Sequence, residues 1–141
     1  MHILVVGGGM GGTILANNLD RRLSGELEQG SSKITMLSAS DKHMYQPGLL
    51  YVAVGKMSTT ELYRDQKSLL EPSIDFHVDP VEKFDLDNNS VTTKSGKKIS
   101  YDIICIATGS RGNAAGIPGL AENACQFYTE ADALAMYKKL L

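Results

Sequence analysis

This sequence has a small net charge, few cysteines and no long apolar run. The net charge is only −2 and no basic run occurs, which argues against nucleic acid as a partner. Two cysteines, Cys105 and Cys125, are too few for a disulfide framework and favour a reducing compartment. No stretch approaches the about 20 apolar residues of a membrane-spanning helix, and the N-terminal apolar run is too short for a signal peptide. We therefore expect a cytoplasmic protein.

The residues that are present are sufficient for one globular domain. The 141 residues are 43% hydrophobic and 21% charged, which is ordinary for a domain with a real core. The sequence shows no internal repeat and no low-complexity segment. Its three histidines and two cysteines have no metal-ligand spacing, so no metal site is predicted.

Five glycines crowd into the segment that follows the first apolar run. That run, residues 3–6, leads directly into GGGMGG at 7–12, and helix-forming residues follow. Gly7, Gly9 and Gly12 fill the spacing G-x-G-x-x-G, which combines a tight turn, close approach to a pyrophosphate and close helix–strand packing. The helix N-terminus then offers free N–H groups to phosphates. The pattern predicts a dinucleotide site, and a turn that binds nothing is the alternative.

Hydrophobic patterning predicts alternating strands and helices before residue 80. Apolar runs predict strands at 2–6 and 33–37, the first of them a central parallel strand, and alternating apolar and polar residues predict a third, short strand at 74–78. Helical spacing predicts helices at 10–23 and 59–70, and an apolar segment predicts a short buried helix or turn at 49–54. Polar residues with glycine or proline predict loops at 24–32 and 38–48. Within the first helix, we expect Ile14, Leu15 and Leu19 to face the sheet.

From Val81 onward, apolar and polar residues alternate within short segments. Segments 81–87, 91–94 and 97–101 alternate and are separated by turn residues, which predicts an antiparallel meander of three strands. The unbroken apolar run 102–107 then predicts a central parallel strand. Beyond a glycine-rich, irregular segment at 111–120, a last helix is predicted over 129–141. Thr129 and Asp132 have the spacing of a capping box at its start.

Two motifs one hundred residues apart, at Gly7 and Ala107, carry a resemblance to a known family. The first is the glycine turn, and the second is Ala107-Thr108-Gly109 after the apolar strand. Between them stand the segments YQPG at 45–48 and YVAVG at 51–55. In this order the motifs resemble the sulfide:quinone oxidoreductases and their sister group, the type II NADH dehydrogenases. The resemblance covers the whole chain but only the first part of the family's longer polypeptide.

The resemblance implies a Rossmann-like FAD/NAD(P)-binding α/β fold, in which a parallel sheet carries an antiparallel meander. It also implies non-covalently bound FAD, peripheral attachment at the cytoplasmic membrane, and electrons passed from sulfide through flavin to quinone. Thirteen residues match FAD-binding positions, while catalytic residues stay unassigned. They are Gly7, Gly9, Met10, Gly11 and Gly12 at the pyrophosphate, Ser38 and Ala39 at the ribose, Val81 at the adenine, Gln46 and Pro47 beside the flavin, and Ala107, Thr108 and Gly109 in the closing segment.

The sequence departs from the flavoprotein pattern at the end of the second strand. Ser38 stands where an acidic residue usually accepts hydrogen bonds from the ribose, and the nearest acid, Asp41, is three residues further on. A serine hydroxyl can bind ribose, but through a weaker, neutral hydrogen bond. In the same loop we interpret His43 as a solvated histidine, with contact to the cofactor as the alternative.

The two cysteines have different interpretations. The family oxidises sulfide with a pair of cysteines that would follow residue 141. Some members carry one more cysteine at a place close to Tyr128, and Cys125 lies three residues earlier. We interpret Cys125 as an ordinary loop cysteine, with a functional thiol as the alternative. Cys105 lies in the apolar strand and is predicted to be a core residue.

Residues 1–141 are therefore expected to form an FAD-binding domain at the N-terminal end of a longer flavoprotein. Such a chain alone is expected to retain FAD weakly and not to reduce quinone. Three functions stay open: a sulfide:quinone oxidoreductase, a type II NADH dehydrogenase, and a non-enzymatic nucleotide-binding Rossmann module. The implied partners are sulfide, quinone and a membrane surface reached through parts outside this chain, with homo-oligomerisation left open.

Overall fold

The computed structural model describes residues 1–113 and 116–140, which form two compact units. The first unit comprises residues 1–43 and 65–109, and the second comprises 44–64 and the residues from 110 onward. The described strands are β1 (His2–Val6), β2 (Lys33–Ser38), β3 (Lys42–Met44), β4 (Tyr63–Asp65), β5 (Asp75–Val78), β6 (Val81–Asp85), β7 (Ser90–Thr93), β8 (Lys98–Ser100) and β9 (Ile103–Ile106). The described α-helices are α1 (Met10–Arg22), α2 (Ser24–Glu28), α3 (Leu49–Ala53), α4 (Leu120–Asn123) and α5 (Glu130–Leu140).

A four-stranded parallel sheet forms the centre of the first unit. Its strand order is β5-β2-β1-β9, and Val5 of β1 lies opposite Met36 of β2 and Cys105 of β9. The chain returns to the other side of β1 when it forms β9, so the strand order reverses at β1. This arrangement confirms the predicted α/β fold, and such a reversal is where open α/β sheets bind ligands, at the carboxyl ends of the strands.

The two faces of the sheet are covered by different elements. Residues along β1 alternate, so that Ile3 and Val5 contribute to one apolar cluster and Leu4 and Val6 to another. The first cluster includes Ala16 of α1, and the second includes residues of the meander and its end. Residues 3–6 of β1 are buried on both faces and are all apolar, as expected of a central parallel strand.

Helix α1 packs through smaller residues than the sequence predicts. Its buried residues are Gly12, Thr13 and Ala16, whereas Ile14 is 54% exposed. The prediction that Ile14 faces the sheet is therefore wrong, while Leu19 does pack against the first cluster. Small residues on the inner face allow the helix to lie close to the sheet, and this close packing decides which face turns inward.

Two local predictions are wrong for tertiary reasons. The expected loop at 24–32 begins with α2, and Leu27 of this short helix packs against the first apolar cluster. The expected helix at 59–70 is instead a 3₁₀ turn, strand β4 and a second 3₁₀ turn. Strand pairing of β4 with β3, and a hydrogen bond from Gln66 N to Asp41 O at 2.8 Å, replace helical hydrogen bonds.

The meander is confirmed, although its first and third strands are shorter than predicted. Strands β6, β7 and β8 form an antiparallel sheet of three, and its turns place Asn89 and Gly96 at positive φ, 46° and 86°. The prediction that the following apolar run is a central strand is wrong, because β9 is an edge of the described sheet. Accordingly, Ile103 and Ile106 are about half exposed, at 45% and 57%.

The second unit has its own apolar core between α3 and α5. Leu49, Val52, Leu62 and Ala133 are almost completely buried there. The predicted capping box of α5 is confirmed, because Thr129 N donates to Asp132 and Asp132 N donates to Thr129, at 2.8 and 3.1 Å. No helix in the described ranges is long and apolar enough to cross a membrane.

Two parts of the sequence predictions lie outside the described residues. The last residue predicted for α5, Leu141, is one of them. Residues 114 and 115, within the segment predicted to be irregular, are the other part. The described residues of that segment are irregular until α4 begins at Leu120.

Two neighbouring glycines of α1 provide a test of its packing. A methyl group built on Gly12 would lie 1.9 Å from the Gly7 carbonyl oxygen, whereas one built on Gly11 would meet no described atom within 4 Å. We expect Gly12→Ala to lower the free energy of unfolding by about 1–3 kcal/mol. The control Gly11→Ala should leave it unchanged or raise it by up to about 1 kcal/mol through helix propensity. Urea unfolding measures both, and equal effects in the two variants would contradict the packing described above.

Candidate functional site

The first glycine of the motif brings two distant segments into contact. Gly7 has a φ of +117°, and its N–H donates to the Leu37 carbonyl oxygen at 2.8 Å. A methyl group on Gly7 would lie 2.2 Å from the carbonyl oxygen of Ala107. Only glycine combines this backbone conformation with this closeness to another backbone. The turn after β1 and the segment after β9 are thus packed backbone against backbone.

Further contacts complete the junction of the two motifs. Ala107 N donates to the Val6 carbonyl oxygen at 2.7 Å, and a methyl group on Gly12 would lie 3.5 Å from the Ala107 side chain. Thr108 and Gly109 follow at the surface, and Gly109 has a φ of +78°. The structure therefore brings the predicted pyrophosphate loop and the predicted closing segment together at the carboxyl ends of β1 and β9.

The start of α1 is open and favours anions. Gly9, Met10 and Gly11 are exposed, and methyl groups built on either glycine would meet no described atom within 4 Å. The first turn of α1, all of it within the described residues, has no acidic side chain to compete for its N–H groups. The positive end of the helix dipole and free backbone donors thus face open space, as a phosphate site requires.

Ser38 ends β2 directly behind the turn. The serine is 7% exposed, and its Oγ accepts a hydrogen bond from Ser40 N at 3.2 Å. A methyl group on Gly8 would lie 2.5 Å from this Oγ, so serine at this position packs closely against the glycine turn. The next residue, Ala39, and the acid considered from the sequence, Asp41, are both exposed. Contact of Ser38 or Ala39 with a ribose stays a prediction.

A polar cluster supports the turn from within the first unit. His43 is half-buried, and its Nδ1 lies 3.1 Å from both the Gly8 carbonyl oxygen and Gln66 Oε1. The interpretation of His43 as a solvated loop histidine is therefore wrong. Gln66 is completely buried and donates to Thr13 Oγ1 at 2.8 Å. Sequence reasoning missed Thr13 and Gln66, because the cluster depends on the tertiary contact of Gln66 with the turn.

Val81 lies in the first unit, at the start of β6. It is half-buried, pairs with Thr93 and packs against the apolar cluster on the meander side of the sheet. The strand register shifts between Val81 and Lys83, which interrupts the regular ladder at this point. A backbone contact between Val81 and adenine is consistent with such an interruption and stays a prediction.

Gln46 and Pro47 belong to the second unit. They are the two exposed residues of a 3₁₀ turn, Gln46–Gly48, which is followed directly by α3. Within this unit Tyr128 Oη is hydrogen-bonded to Ser110 Oγ at 2.9 Å and to the side chain of Gln46, and these hydrogen bonds lower the pKa of Tyr128. The side chain of Gln46 is thus oriented by Tyr128.

The two cysteines differ in their surroundings. Cys105 is partly buried against the first apolar cluster, close to the core position predicted for it. Cys125 is exposed, accepts a hydrogen bond from Lys139 Nζ at 3.4 Å, and lines a cavity of about 230 Å³ in the second unit with Gly112 and Phe127. No group of three or more histidine, cysteine or acidic residues suited to a metal ion occurs among the described residues.

This chain is similar to several known oxidoreductases. Residues 1–140 match the profile of the pyridine nucleotide-disulphide oxidoreductases. The chain is 37% identical over 140 residues to the sulfide-quinone reductase of Aquifex aeolicus, covering 99% of this chain and 31% of that protein. Its identity to a type II NADH:quinone oxidoreductase of Staphylococcus epidermidis is 27% over 125 residues, covering 88% of this chain and 30% of that protein.

A solved sulfide:quinone oxidoreductase structure is also similar to this chain. The X-ray structure of the sulfide:quinone oxidoreductase from Aquifex aeolicus matches with a TM-score of 0.79 and 33% identity, over 99% of this chain and 31% of that one. The present chain thus spans about a third of the length of these relatives. The similarities confirm the predicted resemblance. The chain belongs to the pyridine nucleotide-disulphide oxidoreductase family.

Proposed function

We propose that this chain is the FAD-binding part of a sulfide:quinone oxidoreductase-like flavoprotein. The observation that carries the proposal is the backbone contact between Gly7 and Ala107 at the carboxyl end of β1. This contact joins the glycine turn to the closing segment where the strand order reverses, which is the position at which open α/β sheets bind dinucleotides.

The residues at the turn fit the diphosphate of FAD. Open space beside Gly9 and Gly11, free N–H groups and the end of the α1 dipole match a doubly charged anion. Each part of the cofactor then has a candidate partner. We propose Gly7, Gly9, Met10, Gly11 and Gly12 for the diphosphate, Ser38 and Ala39 for the ribose, Val81 for the adenine, Gln46 and Pro47 for the flavin side, and Ala107, Thr108 and Gly109 for the closing segment that lies against the cofactor.

The role of this chain in the reaction is to bind and orient. When bound, FAD would supply the two-electron chemistry between an electron donor and quinone. The residues of the turn hold the diphosphate through backbone donors, and the small residues 107–109 allow close approach of the backbone. No side chain among the described residues of this junction is assigned a proton-transfer role.

Sulfide is the proposed electron donor and quinone the proposed acceptor of the whole protein. The greater identity to a sulfide-quinone reductase than to a type II NADH:quinone oxidoreductase supports this choice. We propose that residues 1–141 are the N-terminal FAD-binding domain, that the sulfide-oxidising cysteines follow residue 141, and that the same later parts attach the protein to the cytoplasmic face of the membrane. The mass of the whole protein in solution would show whether it forms homo-oligomers.

Reduction of the bound flavin distinguishes the proposed function from its alternatives. We expect the protein, purified at its native length, to carry a flavin absorbance spectrum that sulfide bleaches and a soluble ubiquinone analogue restores. NADH should leave the spectrum unchanged. Bleaching by NADH and not by sulfide would assign the protein to the type II NADH dehydrogenases. Binding of ADP without any reducible flavin would indicate a non-enzymatic nucleotide-binding module.

Substitution of Gly9 tests the position of the diphosphate. The space beside Gly9 is open in the protein, so Gly9→Ala should fold and lose at most about 1 kcal/mol through a poorer N-cap. Its methyl group would occupy the proposed phosphate position, so affinity for FAD should fall about ten-fold or more, which corresponds to about 1.4 kcal/mol. Gly25→Ala is the matched control, because a methyl group on Gly25 is equally free of described contacts but lies in α2. Unchanged FAD affinity in Gly9→Ala would place the diphosphate elsewhere.

A further inference from the structure

Three polar side chains support the glycine turn through a connected set of hydrogen bonds. They come from Thr13 in α1, His43 in β3 and Gln66 after β4. Thr13 is 7% exposed and Gln66 is completely buried. None of the three was predicted to have a role in binding, except for the alternative considered for His43.

The direction of each hydrogen bond follows from the donors and acceptors present. Gln66 Nε2 donates to Thr13 Oγ1 at 2.8 Å, so the threonine proton is free to bond the Gly9 carbonyl oxygen at 2.9 Å. His43 Nδ1 faces two acceptors at 3.1 Å, the Gly8 carbonyl oxygen and Gln66 Oε1. Nδ1 must therefore carry the ring hydrogen. The set holds the carbonyl groups of Gly8 and Gly9 toward the interior of the unit.

Fixing these two carbonyl groups also fixes two N–H groups. In a planar trans peptide the C=O and the following N–H point in opposite directions. With the Gly8 carbonyl held by His43, the N–H of Gly9 points away from the cluster. Thr13 holds the Gly9 carbonyl through its backbone N–H at 3.0 Å and its hydroxyl at 2.9 Å, so the N–H of Met10 does the same. Gly9 and Met10 are exposed, so these donors face the surface.

Gln66 is buried and its amide is hydrogen-bonded, which indicates a role for the amide besides filling space. A buried amide without hydrogen-bond partners destabilises the folded protein, and an apolar side chain of similar size would fill the same space without that cost. Both ends of the Gln66 amide are instead used, one on Thr13 and one on His43. An additional contact from Nε2 to Met36 Sδ at 3.9 Å holds the amide in place.

We propose that Thr13, His43 and Gln66 are positioning residues that aim the N–H groups of Gly9 and Met10 at the diphosphate of the bound nucleotide. The inference rests on the proposed FAD site and assigns the orientation of its phosphate donors to these side chains. None of the three side chains is proposed to contact the nucleotide, so each acts through the backbone of the turn.

Two variants remove the cluster with little change in volume. Thr13→Val replaces the hydroxyl group by a methyl group, and Gln66→Leu removes both ends of the amide. Thr13→Ser is the matched control, because it retains the hydroxyl group that bonds Gly9. The measurement is equilibrium dialysis of the protein, at its native length and freed of FAD, against ADP and, separately, against adenosine.

We expect Thr13→Val and Gln66→Leu to bind ADP about five- to ten-fold more weakly, as for the loss of about one hydrogen bond. Adenosine has no phosphate, so its affinity should change less than two-fold by the same reasoning. Thr13→Ser should restore the affinity for ADP. If Gln66→Leu fails to fold, the comparison of Thr13→Val with Thr13→Ser still decides the matter.

Other results would contradict the inference. Equal weakening of ADP and adenosine binding would show a general structural role, and unchanged ADP binding in Thr13→Val would show that the donors need no such support. Both results leave the proposed function intact, because the unsubstituted protein would still bind ADP. If the unsubstituted protein binds no ADP, the proposed FAD site is itself wrong, and the inference is wrong with it.

Discussion

The contact of the Gly7 backbone with the Ala107 backbone is the constraint on which the rest of the site depends. It allows β9 to lie beside β1 while the turn after β1 passes over the end of β9. Any side chain at Gly7 would force these segments apart, and one at Gly12 would push α1 away from the turn. The exposed N–H groups of α1 and the segment 107–109 therefore share one edge of the sheet only because both glycines lack side chains.

A site built from backbone explains why the described residues contain binding groups but no assigned catalytic side chain. Diphosphate binding needs N–H donors and a helix dipole, which glycine exposes better than any other residue. The side chains contribute by orienting that backbone, as Thr13 and Gln66 do from buried positions. In the proposed function, electron transfer is the task of the flavin. The matched relatives are about three times as long as this chain.

The sequence was sufficient for the features that local chemistry determines. The glycine turn, the meander with its Asn89 and Gly96 turns, and the capping box of α5 depend on neighbouring residues and were predicted correctly. The errors concern features that distant contacts determine. Residues 59–70 have helical spacing but pair as strand β4, and the inward face of α1 depends on which residues fit against the sheet. Gln66 has no local signal, because its partners lie more than twenty residues away along the chain.

The assignment of the glycine turn as a diphosphate site is tested by mapping the amide groups that respond to a diphosphate. In two-dimensional ¹H–¹⁵N spectra of the isotope-labelled protein, added ADP should shift the N–H signals of Gly9, Met10 and Gly11. The signals of Thr108 and Gly109 should shift in the same titration, because the closing segment contacts the turn. Shifts confined to residues outside these two segments, or no shifts at all, would contradict the assignment of the turn as the phosphate half of an FAD site.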